Sequence, residues 1–243
     1  MNINIITLFP EIFNSLNYGL LGQAIKREAI KISIFDLRDY QVNKHGQVDD
    51  KPYGGGEGMV LMAEPLENAI KSITTDNLGI VINLSPQGSI LSNKRAKELS
   101  TSKNMTIICG RYEGIDERFI SQYVDDEISI GDYILSGGEF AALTLIDTLS
   151  RFVPGVIGNK KSVDQDSFSQ GLLKGPVFTR PQTFNSDEVP EVLMSGDHKR
   201  IKEWRDNQSL IRTYQRRPEL LKSIKLTKKQ KKLLEELWSK AIL

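Results

Sequence analysis

The chain has 243 residues, 39% hydrophobic and 26% charged, enough for one large domain or a medium domain with a small partner. It contains no apolar run of about 18 residues, which argues against a membrane-spanning helix. The opening MNINIITLFPEIF lacks the basic start and cleavage site of a secretory signal, so the protein is expected in the cytoplasm. The single cysteine, Cys109, excludes an intramolecular disulfide and a multi-cysteine zinc site. The two histidines, His45 and His198, stand too far apart for a metal-binding motif, so no metal ligand is assigned.

The net charge of +1 is unevenly spread. Residues 171–243 hold 16 Lys/Arg against 9 Asp/Glu, leaving +7 there and −6 on residues 1–170. A basic C-terminal third fits a polyanionic partner, nucleic acid foremost. An ordinary solvated, lysine-rich helix explains the charge equally well.

In chain order, the β-branched run at 3–8 predicts a strand that ends at Phe9-Pro10. A helical stretch follows over roughly 10–29, then a strand over 31–37 (KISIFDL). Residues 39–58 are polar and glycine-rich and read as a long loop, which inside a compact domain is more often functional than idle. A helix follows Glu64-Pro65. Residues 77–85 (NLGIVINLS) and 105–109 (MTIIC) read as strands buried on both faces. Ser92 can cap the helix of KRAKEL, Asp116 to Tyr123 looks helical, residues 126–131 form a third strand, and 137–153 a long apolar helix. Strands alternating with helices predict a parallel sheet in an α/β domain. Residues 158–171 are polar and read as a linker. Beyond it, Asp197 or Ser195 can cap a helix whose apolar face holds Ile201, Trp204, Ile211 and Tyr214, with Arg205, Arg212 and Arg216 on a neighbouring stripe. Pro218 ends that helix, and a last one closes the chain.

Four glycine-bearing turns follow apolar runs: KPYGGGEGM (51–59), LSPQG (84–88), CGRYEGID (109–116) and IGDYILSGGE (130–139). Three lie just past the carboxyl ends of predicted parallel strands, where an open α/β sheet binds ligands. No GxGxxG fingerprint and no GxxxxGK[ST] occurs, which disfavours a dinucleotide site and a P-loop. Any one of these turns is more simply a turn; three at successive strand ends favour a ligand site. Physics alone singles out neither Asp166, a polar-segment aspartate, nor Arg151, a basic residue at a helix end. Cys109 closes an apolar run and reads as a small buried residue rather than a nucleophile.

Together these segments resemble the bacterial tRNA (guanine-N1)-methyltransferase family. The similarity runs through ITLFPEIF, DDKPYGGGEGM, LSPQG, CGRYEGIDERF, SIGDYILSGGE, RFVPGVIG, DSFSQGLLKGPVFTRP and SGDHKRIKEWR, then RTYQRRPELL. The resemblance implies a SPOUT-type α/β domain with a deep trefoil knot over 1–157 and a linker over 158–171 carrying the catalytic aspartate. A small all-helical tRNA-binding domain follows over 172–243. It implies a homodimer with each active site at the subunit interface. It implies methyl transfer from S-adenosylmethionine to N1 of the guanine at position 37 of tRNA. Magnesium is needed by family members, and nothing in this sequence locates a ligand for it.

Carried onto matching positions, the cofactor pocket comprises Leu84, Ser85, Pro86, Gln87 and Gly88; Gly110, Tyr112, Glu113 and Gly114; and Ile130, Gly131, Asp132, Tyr133, Ile134, Leu135, Gly137 and Gly138. Asp166 matches the general base and Arg151 the catalytic arginine, while Arg205, Arg212 and Arg216 are expected to hold RNA. The chain departs from the family pattern at Phe140-Ala141, where Leu-Pro is common, at Gln165, often acidic, and at Glu57, often Pro or Ala. Two rivals remain: a related methyltransferase acting on a ribose hydroxyl of another RNA, and an RNA-binding adaptor that kept the fold.

Overall fold

The computed structural model describes residues 1–42, 44, 46–158 and 164–241, the last four through their backbone only. His45 and the stretch 159–163 of the expected linker lie outside the described residues. The chain divides into two compact units, Met1–Gly158 and Asn159–Leu243. None of the described helices is long and apolar enough to cross a membrane.

The first unit is built on a five-stranded sheet. Its strands are β1 (Asn2–Thr7), β2 (Lys31–Asp36), β5 (Ile80–Ile90), β6 (Asn104–Ile108) and β7 (Asp126–Ser129), in the order β2-β1-β6-β5-β7. Every pairing in it is parallel. The short strands β3 (Asp49–Asp50) and β4 (Val60–Leu61) form a separate antiparallel pair. Helices cover both faces of the sheet, so β1, β5 and β6 have no polar side to show water. One core joins Ile3, Ile5, Ile82, Met105 and Ile107 to helices α1 (Gly19–Lys26), α4 (Asn93–Leu99) and α6 (Gly138–Ser150). The other joins Ile6, Val81 and Ile108 to α2 (Ala63–Ser72) and α5 (Glu117–Tyr123). The period-2 alternation along β1 divides its isoleucines between the two cores. A short helix, α3 (Thr75–Leu78), leads into β5.

Two elements of the first unit differ most from the sequence expectation, and the second unit, expected to be all-helical, holds a β-hairpin. The stretch expected as one helix over 10–29 is a 3-10 segment, Pro10–Asn17, followed by α1. Gly19 at φ +64° turns the chain between them, and a Cβ on Gly22 would stand 2.1 Å from the Asn17 carbonyl oxygen, so the junction is tight. The second difference lies in β5. LSPQG, read as a turn after the strand, is a bulge inside it: Leu84 and Ser89 both align with Ile128 of β7, and the intervening residues loop out.

The second unit has a hairpin, β8 (Thr183–Phe184) with β9 (Asp187–Glu188). It also has helices α7 (Glu191–Met194), α8 (His198–Arg216) and α9 (Lys228–Ala241), with a 3-10 turn at Pro218–Ser223. Asp197 caps α8 by accepting the backbone N–H of Lys199 and of Arg200. Leu210 and Thr213 form the buried stripe of α8, and Ile201, Trp204, Ile211 and Tyr214 flank it half-buried. Thr213 Oγ1 accepts the Leu173 N–H at 2.9 Å, and Ser209 Oγ donates to the Leu173 carbonyl at 2.5 Å, which pins the entering segment along α8.

Candidate active site

In the first unit the three glycine turns come together, the first as the bulge within β5 and the other two past the carboxyl ends of its neighbours β6 and β7. The bulge at 84–88 lies on β7: a Cβ on Gly88 would sit 2.3 Å from the Glu127 carbonyl carbon, so only glycine fits. Leu91 N–H then reaches the Ser129 carbonyl at 2.7 Å. At the end of β7, the Ser129 hydroxyl hydrogen-bonds with Gly131, and the Tyr133 ring folds back over that glycine. This third turn runs on to Gly137 and Gly138. There it meets the second turn, where Gly138 N–H donates to the Gly110 carbonyl at 2.9 Å and Arg111 bridges Gly137. Because β6 and β7 flank β5, the second and third turns meet across the end of β5.

The fourth glycine segment joins the same cluster. Gly54, Gly55, Gly56 and Gly58 all hold positive φ. Its exit is tied to the second turn, with Glu113 N–H on the Met59 carbonyl at 2.9 Å and Leu61 N–H on the Gly114 carbonyl at 3.0 Å. Gly58 lies directly on the Glu113 side chain.

The rim of this cluster is apolar and exposed. Tyr112, Tyr133, Ile134 and Leu135 all project from the turns, Ile134 with 81% of its surface free. Tyr112 holds φ +59°, a left-handed conformation uncommon outside glycine and concentrated at functional sites. Glu113 and Asp132 are the exposed carboxylates of the same turns. Rings and aliphatic groups on glycine-lined backbone can take a flat heterocycle between them, and the nearby carboxylates favour a cationic or hydroxyl-bearing appendage.

Beneath the rim is a buried network that sequence reasoning missed. Arg111 Nη2 lies 2.9 Å from Glu139 Oε2, with the two side chains 15% and 0% exposed. Arg111 Nη1 donates to the Ser136 carbonyl at 3.0 Å, its guanidinium stacks 4.3 Å from the Phe9 ring centre, and the Thr7 hydroxyl donates to Glu139 Oε1 at 2.9 Å. In the sequence Glu139 reads only as a first-turn acid suited to the helix dipole, and Arg111 as a surface basic residue. No local pattern links them. Cys109 lies alongside, buried. Burial above all, then the charge of Glu139, pushes its thiol well above the ordinary value, so it is no nucleophile.

Arg151 stands at the C-cap of α6, exposed, in the first unit. Asp166 belongs to the second. Residues 164–171, expected as part of a linker, form hydrogen-bonded turns in which Phe168 N–H reaches the Leu172 carbonyl at 2.8 Å and Gly171 N–H the Phe168 carbonyl at 3.1 Å. Asp166 Oδ1 lies 3.4 Å from Lys174 Nζ. It lines a cleft of about 1390 Å³ within the second unit, together with Lys174, Phe178, Arg180, His198, Lys202 and Arg205. Arg205 therefore shares a cleft with Asp166, whereas Arg212 and Arg216 lie further along α8, outside that lining. The cleft combines cations with an aromatic, Phe178, which packs on Trp204 at 6.2 Å between ring centres; side chains of these types are able to contact phosphates and stack on bases. Among the described residues no group of three or more His, Cys, Asp or Glu could hold a metal ion.

Residues 1–223 match the family model described as tRNA (guanine-1)-methyltransferase TrmD. The chain is 52% identical to the tRNA (guanine-N(1)-)-methyltransferase of Vibrio vulnificus strain YJ016, over 97% of this chain and 96% of that protein. It is 49% identical to the protein of that name from Actinobacillus succinogenes, over the full length of both. The Haemophilus ducreyi protein so named is 50% identical, over 98% of this chain and 97% of its own. A parallel α/β sheet with interlocked turns at its carboxyl edge, and matches that span nearly every residue, lead to one assignment: the chain belongs to the tRNA (guanine-1)-methyltransferase TrmD family.

Proposed function

We propose that this protein transfers a methyl group from S-adenosylmethionine to N1 of the guanine at position 37 of tRNA. The observation that carries the reading is the meeting of the three turns in a chain that belongs to this family throughout. The site suits the cofactor. Tyr112, Tyr133, Ile134 and Leu135 offer exposed apolar surface for an adenine, and Gly88 lets the 84–88 bulge pack against the β7 backbone beside them. The acidic first unit complements the positive charge of a sulfonium. Leu84–Gly88, Gly110 with Tyr112–Gly114, and Ile130–Leu135 with Gly137 and Gly138 are the residues that hold it.

The bound cofactor supplies an activated methyl group. What remains for the chain is positioning and proton handling. Guanine N1 carries a proton at neutral pH, so it needs a base within hydrogen-bond reach. Asp166 takes that proton as the new bond forms. Negative charge then moves toward guanine O6, where the Arg151 guanidinium stabilises it. Arg205, Arg212 and Arg216 hold the anticodon arm through its phosphates. Magnesium finds no ligand set of three or more His, Cys, Asp or Glu among the described residues.

The same reading takes the sheet to be knotted at its carboxyl edge, residues 172–243 to be the tRNA-binding domain, and the enzyme to be a cytoplasmic homodimer with its active site between subunits. Incubation with S-adenosylmethionine and tRNA, followed by mass mapping of the nucleosides, should place one methyl group on guanine at position 37. Retained methylation of a transcript with adenine at that position would sink the assignment. Asp166→Ala should abolish transfer while leaving cofactor binding within about twofold, because the base touches the acceptor and not the donor.

A further inference from the structure

Thr7 and Phe9 at the end of β1, Arg111 in the second turn and Glu139 behind the third are distant in sequence and meet under the pocket. A buried ion pair adds little net stability, because desolvation offsets most of the attraction, and well-packed apolar replacements are often neutral. This pair is also incompletely hydrogen-bonded: Arg111 Nε is buried without a hydrogen-bond partner, and Glu139 Oε2 meets Arg111 Nη2 at 2.9 Å as an ion pair, outside hydrogen-bond geometry. Geometry is what the pair provides. Arg111 holds the Ser136 carbonyl at 3.0 Å, sets its guanidinium carbon over the Phe9 ring 4.3 Å from the centre, and fills the space where a Cβ on Gly137 would stand 2.2 Å from Nε. Glu139 is oriented in turn by the Thr7 hydroxyl at 2.9 Å, whose oxygen also accepts the Phe9 N–H at 3.0 Å.

We propose that the Arg111–Glu139 pair is a positioning clamp. It fixes the spacing between the second and third turns and so sets the affinity of the pocket for the adenosyl cofactor. Neither residue touches the reacting atoms. The proposal rests on the cofactor reading given above. A planar fork gripped at both ends holds two turns in register more tightly than apolar contacts of equal volume, and small displacements of a binding shell lose affinity steeply.

The test separates geometry from stability. The variants are Arg111→Met, the double variant Arg111→Met/Glu139→Leu, and Arg111→Lys, each measured by thermal unfolding and by calorimetry with S-adenosylmethionine. The single Met variant strands a buried carboxylate and loses stability. The double variant should regain the wild-type Tm yet bind the cofactor about tenfold more weakly, because its buried charges are gone and its clamp is too. Arg111→Lys keeps the charge, loses the fork and the stacking, and should also bind more weakly than wild type. Cofactor affinity within twofold of wild type in both the double and the Lys variant overturns the clamp. A double variant whose Tm falls as far as that of Arg111→Met overturns it too, since the pair would then be holding the fold itself. Wild-type protein that does not bind S-adenosylmethionine overturns the cofactor reading, and the clamp with it.

Discussion

A methyl group at Gly88 has nowhere to go: its Cβ would stand 2.3 Å from the carbonyl carbon of Glu127 and 2.4 Å from the Ile128 nitrogen. Both neighbours are backbone of β7, held in the sheet by its pairing with β5, so neither steps aside cheaply. Gly88→Ala should therefore lose about 1–3 kcal/mol of stability and weaken cofactor binding together, which melts and calorimetry on one preparation would show. Gly114 is the opposite case, with open space around it and only a φ of +125° to require glycine. The glycines were visible in the sequence as turn residues; which of them face backbone was not, because the crowding comes from strands far along the chain. The buried thiol gives a second prediction. Cys109 is held protonated in the fold, whereas an unfolded thiol ionises above about pH 8.5. The unfolded chain then binds fewer protons, so this contribution to stability is present below that pH and lost as pH rises past it. Urea unfolding at roughly pH 7.5 and 9.5 should show a smaller alkaline loss in Cys109→Ala than in wild type.

Helix starts were legible because their signals are local. Ser92, Asp116 and Asp197 each accept a backbone N–H in the first turn of the helix that follows. Asp197 serves two such donors on the longest helix of the second unit, so Asp197→Ala should cost about 1 kcal/mol, read as a lower urea midpoint with an unchanged m-value. The end of β5 was not legible. Ser-Pro-Gln-Gly is turn chemistry, and it does turn, but the chain resumes pairing with β7 at Ser89 and Ile90. A local pattern cannot show that a strand restarts, since the partner that receives it lies some 40 residues on. The same limit hid Arg111 and Glu139. Each reads as an unremarkable charge, and only the topology brings them together.

Charge is distributed over the molecule as its two tasks require. Residues 1–170 carry −6, which suits the cationic cofactor proposed for them, and residues 171–243 carry +7, which suits a polyanion. The basic share extends beyond α8 into α9, where Lys228, Lys229, Lys231 and Lys232 cluster in the first turns, with Lys229 paired to Glu203. If these cations hold RNA phosphates, tRNA affinity should fall linearly in log–log form as salt rises. The Arg205→Ala, Arg212→Ala and Arg216→Ala variants should each reduce that slope by about one at matched pH. Filter binding across a salt series would measure it, and a flat line would remove the basic face from tRNA binding. S-adenosylmethionine affinity should stay unchanged in the same three variants.

The bulge in β5 also dictates an order of events. β5 is made before β6 and takes its place in the sheet beyond it, next to a strand made later still. Leu84 and Ser89 share Ile128 as their partner, so the loop between them has no closure until residues 126–129 have emerged and docked. On the ribosome, most of the sheet's strand material is therefore complete while the pocket does not yet exist. The meeting of the turns is one of the last steps in assembling this sheet, with the slow rate expected where distant segments must meet.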